Sequence, residues 1–116
     1  MSWAKELYLR HLQAKKANEG LPPAGLIEDV QAAIDRHKRA RKSALYDLVK
    51  ADLEGVWSAF NIFAAIQYID LMAHPEKCKA FYKSKRGRKY YRPGMTLEEM
   101  AWGSARRLAA YVARRR

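Results

Sequence analysis

Residues 44–73 read ALYDLVKADLEGVWSAFNIFAAIQYIDLMA, and Gly55 is the one position among them that resembles a turn. A lone glycine is tolerated inside a helix, so the spacing predicts helix through most of this span. Val56, Trp57, Phe60, Ile62, Phe63, Ile66, Tyr68, Ile69, Leu71 and Met72 point in nearly every direction around a helical axis. A helix that is apolar all round is one surrounded by other elements. The segment from Leu48 to Met72 is therefore expected at the centre of an all-α bundle. Glu54, Asn61, Gln67 and Asp70 interrupt it, which argues against a bilayer span.

Upstream, Leu26, Val30, Ala33, Ile34 and His37 mark the buried side of a helix that should begin near Pro23 or Ala24, with Glu28 and Asp29 in the first turn suiting its dipole. An unbroken helix from there to Ala73 would far exceed the mean length of about 12 residues, so a break or bend is expected near Lys42 and Ser43. Whether residues 24–73 make two helices or three stays open. Earlier still, Ser2 suits the cap of a first helix with Trp3, Ala4, Leu7, Tyr8, His11 and Leu12 on one face, and Asn18, Gly20, Pro22, Pro23 and Gly25 break the chain after it.

Downstream, Pro75 followed by Glu76 opens a short helix reaching about Tyr82. From Lys83 to Met95 apolar periodicity stops, and such a stretch inside a compact domain is usually functional or disordered. It reads as a loop, or as a small hairpin pairing Phe81–Ser84 with Lys89–Arg92, with a type II turn at Pro93 and Gly94. Thr96 to Glu99 forms a capping box for a last helix whose buried stripe is expected to be Leu97, Met100, Ala101, Ser104, Leu108, Tyr111 and Val112, leaving Trp102 outside it. The expectation is one compact all-α domain over residues 1–116, a bundle of four or five helices with the loop of residues 83–95 projecting between the last two.

Charge gives this frame a direction. The 116 residues carry a net +11. Residues 36–50 hold six Lys/Arg against Asp47, residues 75–95 hold eight against Glu76, and residues 51–74 hold none. Cations at that density are not buried without partners, so they face water or an anion. Lys83, Lys85, Arg86, Arg88, Lys89 and Arg92 are expected to contact phosphates, with Tyr90 and Tyr91 stacking or positioning, and Arg36, Lys38, Arg39, Arg41 and Lys42 extending the footprint. Lys and Arg neutralise phosphates while aromatic rings stack on bases, so residue types and partner match. Arg86-Gly87-Arg88 resembles the centre of minor-groove AT-hook arms, but Lys89 stands where that pattern has proline, and the resemblance implies nothing further here. No groove-reading motif is present, so weak sequence preference is expected. The alternative is a small regulator or inhibitor that binds an acidic protein surface, since Tyr and Arg are enriched at binding hot spots.

Other classes find less support. His11 and His37 lie on apolar helical faces and read as hydrogen-bonded structural histidines. His74, beside Pro75, reads as a cap. Asp52, Glu54 and Asp70 are candidate magnesium ligands for a nuclease, but pairing with nearby cations explains them more simply. Cys78, flanked by Lys77 and Lys79, invites a lowered thiol pKa, yet reads as a small buried or half-buried thiol. A single cysteine excludes an intrachain disulfide framework. No metal or cofactor is expected, and non-enzymatic binding is favoured. A membrane role is disfavoured because Glu6 and Glu19 dilute the charge of the first helix. Met1 to Leu12 does not read as a secretory signal, so a cytoplasmic or nuclear protein is expected.

Overall fold

The structure is a computed structural model that describes Lys5 and residues 20–115. The expected first helix, with its Ser2 cap and His11, lies outside the described residues. Among them are five α-helices: α1 (Leu26–Arg36), α2 (Lys42–Leu53), α3 (Ala59–Ala73), α4 (Pro75–Lys83) and α5 (Leu97–Arg114), with one turn of 3-10 helix at Arg88–Tyr90 before α5. No strand element is present among the described residues. The fold is a small all-α bundle, as the apolar patterning predicts.

Residues 24–73 make three helices, and the break missing from the sequence reading is at Gly55. Helix α2 ends at Leu53, and Gly55 takes a left-handed φ of 88°, which glycine adopts without steric cost. Ser58 then caps α3, its hydroxyl accepting from the Asn61 N–H at 3.1 Å. The turn between them is pinned by Trp57, whose indole N–H donates to Asp29 at 2.8 Å. Val56, read as part of the central apolar helix, is 66% exposed in this turn. The earlier break comes a few residues before the expected position: α1 stops at Arg36, and the Ala40 N–H bonds the His37 carbonyl in the connecting turn.

Helix α3 is central, packing against each of the other four helices. Its most extensive partner is α5, and small residues explain why. Ala64 and Ala65 on α3 share one core cluster with Ala105 and Ala109 on α5, all fully or almost fully buried. Without bulky side chains at these positions the two backbones come close, and Trp102, 2% exposed, fills space beside them against Tyr68 in an edge-to-face contact of 6.0 Å. This corrects the expected stripe on α5. Its buried line is Ala101, Trp102, Ala105 and Ala109, whereas Leu108 and Tyr111 are 42% and 47% exposed. The Thr96 to Glu99 capping box forms as expected, and starts α5 at Leu97.

A second, smaller cluster of Cys78, Tyr82 and Ala101 ties α4 to the start of α5. No helix among the described residues is long and apolar enough to cross a membrane.

Candidate functional site

The basic loop is built from Ser84 and Gly87. Ser84 ends α4 and closes the turn twice: its hydroxyl donates to the Phe81 carbonyl and accepts from the Gly87 N–H at 3.2 Å, while its carbonyl accepts from the Arg88 N–H at 3.0 Å. Gly87 has ordinary right-handed backbone angles, so its role is room rather than conformation. A Cβ there would overlap the Phe81 carbonyl oxygen and lie 2.7 Å from its carbon. This packing buries Gly87 and turns the chain into the 3-10 turn, so the hairpin alternative does not form. Beyond it, Gly94 with φ 84° and a Met95 N–H to Arg92 carbonyl bond of 3.1 Å make the expected turn after Pro93.

Folding back places Tyr90 in an aromatic and cationic stack. Its ring lies parallel to Phe81 at 6.4 Å with an interplanar angle of 18°. The Arg107 guanidinium on α5 lies 4.0 Å from the Tyr90 ring centre and 5.4 Å from that of Phe81, and Lys89 Nζ sits 5.2 Å over Tyr90. Arg107 is in turn held by Tyr82, whose hydroxyl accepts from Arg107 Nη2 at 2.7 Å and donates to the Met100 carbonyl at 3.0 Å. Gly103 on α5 makes room for that hydroxyl, which would be 3.0 Å from a Cβ at this position.

Beside the stack runs a groove of about 640 Å³ between the end of α3, α4 and α5. Leu71, Phe81 and Leu108 give it apolar walls, with Tyr90 and Tyr111 also lining it. Lys77, Arg86, Arg107 and Arg114 supply four cations, and among the described residues no Asp or Glu lines it. A positive potential focused between low-dielectric walls attracts anions more strongly than the same charges on an open face.

Of the expected site residues, Lys83, Lys85, Arg86, Arg88, Lys89, Tyr90 and Tyr91 all stand exposed on this loop or at the end of α4. Arg92 is turned toward Glu99, 3.7 Å away, and Glu99 is held below the usual carboxylate range mainly by bonds from the Thr96 backbone and hydroxyl, with Arg92 adding to it. The other segment stands apart. Arg36 bonds Asp52 at 3.0 Å, while Lys38, Arg39, Arg41 and Lys42 lie exposed in the turn and first residue of α2. Helices α1 and α2 pack on each other and on α3, and neither packs on α4, so the structure does not bring the two basic segments into contact.

Of the residues weighed for chemistry, His37 and Asp52 are paired with each other. His37 Nε2 lies 2.9 Å from Asp52 Oδ2, and hydrogen bonds from His37 and then Arg36 hold the Asp52 carboxyl below its ordinary range. His74 separates α3 from α4. No group of three or more His, Cys, Asp or Glu among the described residues is arranged to hold a metal. Cys78 is 1% exposed, and burial pushes its thiol up rather than down, with the Ser104 hydroxyl and the Arg107 charge acting against that shift. The lowered pKa that its lysine neighbours suggested is thus overturned, because Lys77 and Lys79 face outward while Cys78 faces the core.

Sequence reading passed over the α5 side of the groove. Arg107, Tyr111 and Arg114 fall at i, i+4 and i+7, one helical face. Tyr111 and Leu108 instead fit the helical spacing of the expected buried stripe, and both are exposed on the groove face. Compared with models of protein families, curated proteins and solved structures, the chain matches none.

Proposed function

We propose that the protein binds nucleic acid without catalysing a reaction, through the loop of residues 83–92 and the groove behind it. The observation that supports this most is the coincidence of four cations, with no acid beside them among the described residues, and stacked aromatic rings around Tyr90. Lys83, Lys85, Arg86, Arg88 and Lys89, exposed at the end of α4 and on the loop that carries Tyr90, add charge suited to phosphates. Tyr91, 48% exposed, offers a further ring. Arg36, Lys38, Arg39, Arg41 and Lys42 form a separate basic segment that would contact only a longer polymer. Phosphate contacts of this kind position a strand without reading it, so sequence preference is weak.

Fluorescence anisotropy with duplex DNA, single-stranded DNA, single-stranded RNA and heparin tests this reading, in the wild type and in a Lys85/Arg86/Arg88 to alanine variant. Lys89 is retained because it lies over the Tyr90 ring. The expected result is binding to nucleic acid that the variant weakens. Absence of binding to every nucleic acid, together with a stoichiometric protein captured from nuclease-treated lysate, would replace the reading with an acidic protein partner. Equal affinity for heparin and all nucleic acids would reduce it to charge alone.

A further inference from the structure

The groove is larger and more apolar than phosphate binding requires. Its volume of about 640 Å³ lies within the range of small-ligand pockets, roughly 300–1,000 Å³. Leu108 and Tyr111 leave a large part of their surface exposed on this face, beside cations from three different segments: Lys77 on α4, Arg86 in the loop and Arg107 and Arg114 on α5. A duplex keeps the faces of its bases in its own stack and offers a protein groove only backbone and edges. An unpaired base, by contrast, can be splayed out and laid against aromatic or apolar walls. The protein already contains this geometry within itself, since planar guanidinium groups lie over Tyr90 and, through Arg115 at 4.7 Å, over Tyr111.

We infer that the groove between the end of α3, α4 and α5 takes one unstacked nucleotide of a single-stranded nucleic acid, its base against Phe81, Leu108 and Tyr111 and its phosphates beside Lys77, Arg86 and Arg114. The inference rests on the nucleic-acid reading above and goes further by naming the strand form and the place where a base enters. The loop then supplies long-range attraction, while the groove distinguishes an unpaired strand from a duplex. Arg107 is a positioning residue, because its hydrogen bond to Tyr82 and its contact with Tyr90 fix one wall.

The test compares a single-stranded oligonucleotide with the same strand carrying abasic sites, and with its duplex, in wild type and in Leu108→Glu and Tyr111→Ala. Both positions are exposed, so folding is expected to survive, and circular dichroism and urea denaturation check that it does. Stacking of a single base corresponds to at least about fivefold in affinity, so the base-bearing strand should bind at least about fivefold more tightly than the abasic one. The two variants should remove this preference while leaving duplex affinity less affected. A 2-aminopurine placed in the strand should change its fluorescence on binding the wild type and not on binding Tyr111→Ala. If base-bearing and abasic strands bind the wild type equally, with salt-sensitive affinity, the groove inference fails and the phosphate-binding reading stands. If neither strand nor duplex binds, both fail. If the strand preference persists in both variants, the base enters elsewhere and the inference is overturned.

Discussion

Replacing Gly87 by alanine probes the joint that holds the loop against the bundle. The added methyl would overlap the Phe81 carbonyl, a backbone group inside α4 that has no side-chain freedom with which to yield. The loop must therefore move, and the contacts it makes define the cost. Two hydrogen bonds to Ser84 contribute about 0.5–1.5 kcal/mol each. The Phe81 and Tyr90 pair adds about 0.5–1.5 kcal/mol, and the Arg107 contact with Tyr90 about 0.5–1 kcal/mol. Loss of most of these destabilises the protein by about 2–4 kcal/mol, which at a typical urea m-value moves the midpoint down by about 1–2 M. Gly55→Ala is the control. Its Cβ meets nothing within 4 Å, so only the left-handed φ is strained, at about 1–2 kcal/mol. In single-strand binding the two should separate: Gly87→Ala weakens affinity because Tyr90 leaves the groove wall, and Gly55→Ala does not. Wild-type stability and affinity in Gly87→Ala would refute the argument that this glycine is required for space.

Three further outcomes follow from the same packing. Tyr82→Phe removes the hydroxyl shared by Arg107 and the Met100 carbonyl, and should cost about 1–3 kcal/mol by urea denaturation, with single-strand affinity falling as Arg107 loses its anchor. Ala105→Leu forces apart the close contact of α3 and α5, and thermal unfolding should show a loss of about 1–3 kcal/mol. Asp52→Asn should be destabilising at neutral pH and converge with the wild type in acid. The folded-state pKa of Asp52 is lowered, so its contribution is complete above the ordinary carboxylate range and disappears as pH falls through the lowered value, an effect measured by denaturation at several pH values.

The sequence made some of this architecture legible and hid the rest for physical reasons. Caps and prolines act locally, so the starts of α4 and α5 could be read from Pro75 and Thr96. The all-α class followed from periodicity. Gly55 was ambiguous because the same residue is tolerated in a helix and favoured just past its end; Ser58, three residues later, is the signal that resolves it as a boundary. The expected stripe on α5 held Ala101, Ser104, Leu108 and Tyr111 and left out Trp102, so helical spacing alone chose a neighbouring face. Ala105 and Ala109 instead allow close approach to α3, and Trp102 is buried beside them while Leu108 and Tyr111 line the groove. The loop of residues 83–95 could be delimited from its charge, its tyrosines and its lack of apolar periodicity, whereas the groove needs Arg107 and Arg114 from a segment distant in sequence, and no local pattern joins them to Tyr90.

The most direct test is the salt dependence of single-strand affinity. Each phosphate neutralised on a single strand contributes about 0.7 to the slope of log K against log salt. Removing Lys85, Arg86 and Arg88 together should reduce the magnitude of that slope by about 2. An unchanged slope in a folded variant would contradict the claim that this loop holds the phosphate backbone.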